Sequence, residues 1–174
     1  HRESMKPSVH TRPATEADIA KIRAIAHATW PVAYGAIITP GQLGYMLGLM
    51  YSWESLLAQM QQQGHRFLLF HEEGVAQGFA SYEQGYNGLR STRLHKLYVI
   101  PTAQGTGVGR TLLHAVVAAA REAKDLKVEL NVNRFNTARW FYERHGFRIV
   151  RDEVINIGQG YVMDDHVMKL ELHP

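Results

Sequence analysis

The sequence predicts a single α/β domain with a mixed, mostly antiparallel central sheet of about seven strands and about four helices. Segments of strand-like and helix-like periodicity follow one another in the order β, α, α, β, β, β, α, β, α, β, β. No segment repeats, and no linker rich in Pro, Gly or Ser divides the chain. Its 174 residues suit one domain around a single core.

The first strand is expected over Val9 to Arg12, after which Thr15-Glu16-Ala17-Asp18 opens a helix with Thr15 as N-cap and Asp18 at the third helical position. Ile19, Ile22, Ile25 and Ala26 mark its buried face. Trp30-Pro31 should end it, because proline has no N–H to donate within a helix. The aromatic stretch Trp30, Tyr34, Tyr45, Tyr51 and Trp53 then runs through Pro40 and Gly41 into a second helical region reaching about Gln62. Strands over Arg66 to His71 and Val75 to Gln84 are joined at Glu72-Glu73-Gly74, a hairpin signal. Leu94 to Ile100 is the next strand, closed by Pro101. A helix from about Gly107 to Ala123 carries Val108, Leu112, Val116 and Ala119 on one face. Lys127 to Val132 is a strand, and Asn136 to His145 a helix capped by Asn136 and ended at Gly146. Phe147 to Ile157 and Tyr161 to Leu172 close the chain as antiparallel strands around Gly158-Gln159-Gly160.

Composition narrows the chemistry. Apolar residues make up 45% and charged residues 20%, the balance of a soluble globular protein. With no cysteine there is no disulfide framework, thiolate metal site or cysteine nucleophile. Apolar runs such as Ala115 to Ala120 fall far short of the roughly 20 residues that span a bilayer, and no secretory signal opens the chain, so a cytoplasmic protein is expected. His1 to Ser4 precede Met5 and are expected to be a cloning remnant, leaving 5–174 as the domain. The ten histidines are scattered, with no pair at helical ligand spacing beside a Glu, and no metal is expected. A formal charge of +3, not gathered into a basic run, suits an anionic small molecule; neither nucleic acid nor a membrane is expected as partner.

The segment Gln104-Gly105-Thr106-Gly107-Val108-Gly109-Arg110 lies between a strand and a helix start. Unpaired amides and the helix dipole converge there, which makes an anion site. Dinucleotide spacing requires a third glycine three residues after the second, but Gly105 and Gly107 lead to Arg110, and Gly107 and Gly109 lead to Leu112. A nucleotide P-loop would require Gly-Lys followed by a hydroxyl residue, which the chain lacks. On its own the segment could equally be a tight turn.

Gln104, Gly107 and Gly109 satisfy Gln-x-x-Gly-x-Gly, which resembles the pyrophosphate-binding motif of the GNAT acetyltransferases. Leu97-Tyr98-Val99-Ile100-Pro101 is similar to that family's fourth strand, and the pattern Asn136, Ala138, Phe141-Tyr142-Glu143, Gly146-Phe147 to its second cofactor motif. The resemblance implies an acetyl-CoA-dependent N-acetyltransferase releasing CoA, loosely near the polyamine-acetylating branch through the tail Tyr161 to Met168, where Asp164-Asp165 would suit a polycation or be a solvated turn. Backbone groups from Gly105 to Arg110, with Gln104, would hold the pyrophosphate, and those of Leu97, Tyr98 and Val99 the pantetheine arm, with the Val99 amide as oxyanion donor. Asn136 is a cofactor contact, a helix cap or both. Tyr142 would reprotonate the leaving thiolate, or is a core tyrosine. His95, which shares strand parity with Leu97 and Val99, is the candidate base, with Glu83 second; a structural His95 is equally allowed. Trp30, Tyr34 and Tyr45 would wall the acceptor site or pack on the sheet. The acceptor is a small-molecule or peptide amine, and a homodimer is compatible with the family. A non-catalytic acyl-CoA sensor of the same fold is the alternative.

Overall fold

The computed structural model describes residues 9–173; the expected remnant at 1–4 lies outside them. The elements are β1 (Thr11–Ala14), α1 (Ile19–Tyr34), α2 (Pro40–Tyr51), α3 (Trp53–Gln61), β2 (Arg66–Glu72), β3 (Val75–Glu83), β4 (Ser91–Val99), α4 (Val108–Glu122), β5 (Lys127–Asn133), α5 (Ala138–Arg144), β6 (Arg148–Gly158) and β7 (Tyr161–Glu171). Ahead of α1, the Asp18 carboxylate accepts the Thr15 amide at 2.9 Å and both Arg12 guanidinium nitrogens at 2.8 Å. The Arg12 bond above all holds that carboxyl well below the usual range.

Two expectations change here. Helix α1 runs through Pro31 to Tyr34: proline forfeits only its own N–H, while its carbonyl still accepts the Gly35 amide at 3.0 Å, and the Trp30 and Tyr34 rings pack 4.6 Å apart across the last turn. The second helical region is two helices, giving five α-helices among the described residues. Ser52 breaks it with extended backbone, and its hydroxyl accepts the Ser55 amide at 3.1 Å to start α3.

One seven-stranded sheet runs in the order β1-β2-β3-β4-β5-β7-β6. Every neighbouring pair is antiparallel except β4 with β5. That parallel pairing holds only from Ser91–Leu94 against Lys127–Leu130. Beyond it β4 follows β3 to Val99 while β5 follows β7 to Asn133, so the sheet parts into a V. At the fork Ser81 faces Lys96 and Tyr82 faces Leu94, leaving His95 as an extra, bulged residue.

Apolar side chains fill both faces of the sheet rather than one core. Leu112, Val116, Val128, Leu130, Tyr142 and Met168 pack under α4 and α5. Ile19, Ile22, Tyr51, Leu56 and Phe79 pack under α1 to α3. Gly78 lets α4 sit close to the sheet: a Cβ there would meet the Tyr98 carbonyl and Val108 Cγ1 at 3.0 Å.

Candidate active site

A cleft of about 670 Å³ opens where β4 and β5 part. The Ile100 amide donates to the Gln77 carbonyl on the β3 side at 2.9 Å. Because strand N–H groups alternate in direction, those of Leu97 and Val99 point to the open side, where β5 no longer pairs with them. At the far end α4 begins behind Gly107, whose left-handed backbone (φ 92) turns the chain into the helix. The amides of the first helical turn have no partner within the helix. Gln104, Gly105, Gly107, Gly109 and Arg110 line the cleft. Thr106 and Val108 do not: the Thr106 hydroxyl bonds the Ala103 carbonyl, and the Val108 side chain is buried, so these two offer backbone only. Gln104 Nε2 donates to the Val99 carbonyl at 3.2 Å. Beta carbons placed on Gly105 or Gly107 would meet no protein atom within 4 Å. An open strand edge leading to an open, amide-rich helix start fits an extended arm ending in a pyrophosphate.

Asn136 and Tyr142 also face this cleft. The Asn136 side-chain oxygen accepts the Ala138 amide at 2.9 Å, which starts α5. Tyr142 is buried, with its ring edge-on to Phe141 at 5.3 Å and Phe147 at 5.6 Å. Burial pushes its phenol above the ordinary value, so it is a protonated donor at neutral pH.

A second cavity of about 220 Å³ adjoins the cleft, sharing Tyr34, Leu94, His95, Lys96, Tyr98 and Asn131 with it. Trp30 and Tyr34 line it, and the Tyr34 and Tyr98 hydroxyls bond at 2.9 Å. Tyr45 does not join this wall: its hydroxyl donates to the Ile157 carbonyl at 2.6 Å and its ring packs on Tyr161. Arg93, Lys96 and Asp165 complete it. Lys96 is 8% exposed, donates to Gln59 Oε1 at 2.6 Å and lies over the Tyr51 and Phe67 rings. It has no carboxylate partner among the described residues, and burial lowers its amine to about 8. Arg93 donates to Asn131 Oδ1, and Asn131 Nδ2 to Asp165 at 3.1 Å. Burial raises the Asp165 carboxyl. Strand alternation splits Asp164 from Asp165: Asp164 faces the other way and pairs with Arg134 at 3.1 Å, so the two carboxylates do not form one polycation site.

The bulge breaks the expected parity of His95: Leu94 takes the place beside Leu97 and Val99 on the α4 face, and His95 turns toward His65. Nε2 of His95 and of His65 lie 2.8 and 3.0 Å from one Glu83 oxygen. The two rings stack at 3.9 Å and 7°. Burial first, then the neighbouring His65, Lys96 and Arg93, holds His95 far below the usual imidazole value; burial, then Lys96, lowers His65 to about 4. Both rings are therefore neutral, donating Nε2–H to Glu83 and leaving Nδ1 as acceptor. His65, Glu83 and His95 bring three donor atoms within 4.8 Å of one another. With both Nε2–H groups directed at one Glu83 oxygen, the trio is suited to proton sharing. Nothing in the sequence signals His65 or Lys96: the bulge that aims His95 and Lys96 the same way leaves no pattern.

Residues 46–169 match the family model described as an acetyltransferase (GNAT) domain. An uncharacterized N-acetyltransferase of Mycobacterium tuberculosis is 30% identical over 159 residues, covering 91% of this chain and 99% of that protein. The L-amino acid N-acyltransferase MnaT of Escherichia coli is 39% identical over 61 residues, 34% of this chain and 36% of that protein. The PaiA N-acetyltransferase of Thermoplasma acidophilum, solved in complex with coenzyme A, shares the fold with a TM-score of 0.78 at 21% identity, covering 95% of this chain and 99% of that one.

Proposed function

This chain belongs to the GNAT acetyltransferase family and is an acetyl-CoA-dependent N-acetyltransferase; from that premise we propose that it acetylates the primary amine of a small zwitterion, a free amino acid or close analogue, by direct attack. The observation that carries this reading is the small cavity with Arg93 and the carboxylate-free Lys96 in one wall and Asp165 in another. At about 220 Å³ it is smaller than the roughly 300 Å³ of drug-sized pockets. Two cations against one carboxylate suit a carboxylate-bearing amine, and a polyamine would oppose both cations. The MnaT relative, named for L-amino acids, points the same way.

Acetyl-CoA supplies the acetyl group as a thioester. The chain's own groups divide the remaining work. Leu97 and Val99 offer backbone N–H groups to the arm, and the Val99 N–H stands as oxyanion donor. Gly105 to Arg110, with Gln104 and Asn136, hold the phosphate end and the arm. His95 takes a proton from the acceptor's ammonium through water at Nδ1 while passing its Nε2–H to Glu83, whose carboxyl burial raises, so that the ring stays neutral. As the amine nitrogen bonds to the acetyl carbon and the C–S bond breaks, Tyr142 gives its phenolic proton to the departing sulfur and the phenolate regains the proton that the nitrogen sheds. A cytoplasmic location, where acetyl-CoA is available, goes with this reading. Thiol release from acetyl-CoA across amino acids, polyamines and peptides tests the reading; turnover confined to polyamines or peptides would reject it.

A further inference from the structure

We propose that Trp140 and Arg144 form a subsite for the nucleotide end of the cofactor, the indole stacking on the adenine and the guanidinium pairing with a phosphate. The subsite rests on the cofactor assignment of the cleft. Trp140 is 52% exposed, yet it lines the cleft together with Arg144. The two are four residues apart on α5 and so share one helix face. The fold uses neither. Ala138, Phe141 and Tyr142 are the α5 residues packed into the core, while Arg144 is exposed and makes no hydrogen bond or ion pair among the described residues.

Placement identifies the ligand. A Cβ on Gly109 would stand 3.6 Å from the Phe141 ring, so α5 flanks the helix start where the pyrophosphate would sit. The cleft runs from there along β4 toward the thiol end. The part of the cofactor left on the other side of the pyrophosphate is adenosine with its 3′-phosphate. A flat aromatic face beside a planar cation matches a purine and a phosphate, whereas the aliphatic arm would gain little from either.

The test is equilibrium binding of CoA, adenosine 3′,5′-bisphosphate and 4′-phosphopantetheine to the full chain and to Trp140→Leu, Trp140→Phe and Arg144→Gln. Base stacking of the usual strength predicts that Trp140→Leu weakens CoA about tenfold, that Trp140→Phe retains most of the affinity, and that 4′-phosphopantetheine binds both variants as it binds the parent. CoA and the bisphosphate should quench tryptophan fluorescence in the parent and far less in Trp140→Phe. Arg144→Gln should weaken CoA while leaving 4′-phosphopantetheine unchanged. Both positions are exposed, so melting temperatures should be unaltered. Equal losses for CoA and 4′-phosphopantetheine, or no loss for CoA, would overturn the subsite with the cofactor assignment intact. Absence of CoA binding by the parent chain would remove both.

Discussion

Tyr142 and Lys96 both line the cleft and are buried there, and burial acts on them in opposite senses. The phenol is kept protonated and ready to donate; the amine is pushed toward neutrality. Tyr142→Phe removes the donor without removing the ring, so kcat should fall about a hundredfold, the low end for a general acid, with acetyl-CoA affinity unchanged in a binding titration. An unaltered kcat would take Tyr142 out of the chemistry. Lys96 has a lower value folded, about 8, than its ordinary 10.5, so the folded chain binds fewer protons between those values and stability rises as pH climbs from about 8 to 10.5. Below pH 8 the charged amine costs on the order of 3 kcal/mol. Lys96→Met should therefore raise Tm at pH 7 by several degrees, flatten that pH dependence, and raise KM for carboxylate-bearing acceptors about tenfold. Tyr142 was legible because its spacing from Asn136 and Gly146 matches a motif. Lys96 was not, since a strand lysine reads as solvent-facing unless the bulge beside it is known.

At the scale of elements, the turn before α4 and the fork after Leu94 do most to place the site. The turn was legible because glycine spacing distinguishes phosphate loops, and Gly107 takes the left-handed backbone that its place demands. Gly107→Ala should cost about 1–2 kcal/mol, lowering Tm by a few degrees and weakening acetyl-CoA, both read in one thermal-shift titration. The fork was not legible, because whether parallel strands stay paired depends on neighbours distant in sequence. The same holds for α1, which runs past Pro31 on the strength of Trp30 and Tyr34 packing that local propensity does not report. Tyr45 was misplaced for a related reason: its partner is the Ile157 carbonyl, 112 residues away.

For the molecule as a whole, element order sufficed for the α/β class, and motif order for the cofactor. It could not define the second cavity, which takes residues from α1, α2, β4, β5, β6 and β7 that meet only in the folded chain. The splayed sheet joins the two cavities, which share His95, Lys96 and Tyr98, and the proposed reading has cofactor and amine approach from opposite faces of one strand. A ligand that fills this cleft only in the folded state should raise Tm, by about 2.7 kcal/mol of stabilisation at a hundredfold excess over Kd. The most direct test of the central claim is the rate of thiol release from acetyl-CoA with a free amino acid against the same amine lacking its carboxylate, such as phenylalanine against phenylethylamine. A kcat/KM at least about tenfold higher for the amino acid is predicted, from the loss of a carboxylate's bonds to Arg93 and Lys96. Equal or faster release with the amine that lacks the carboxylate would contradict it.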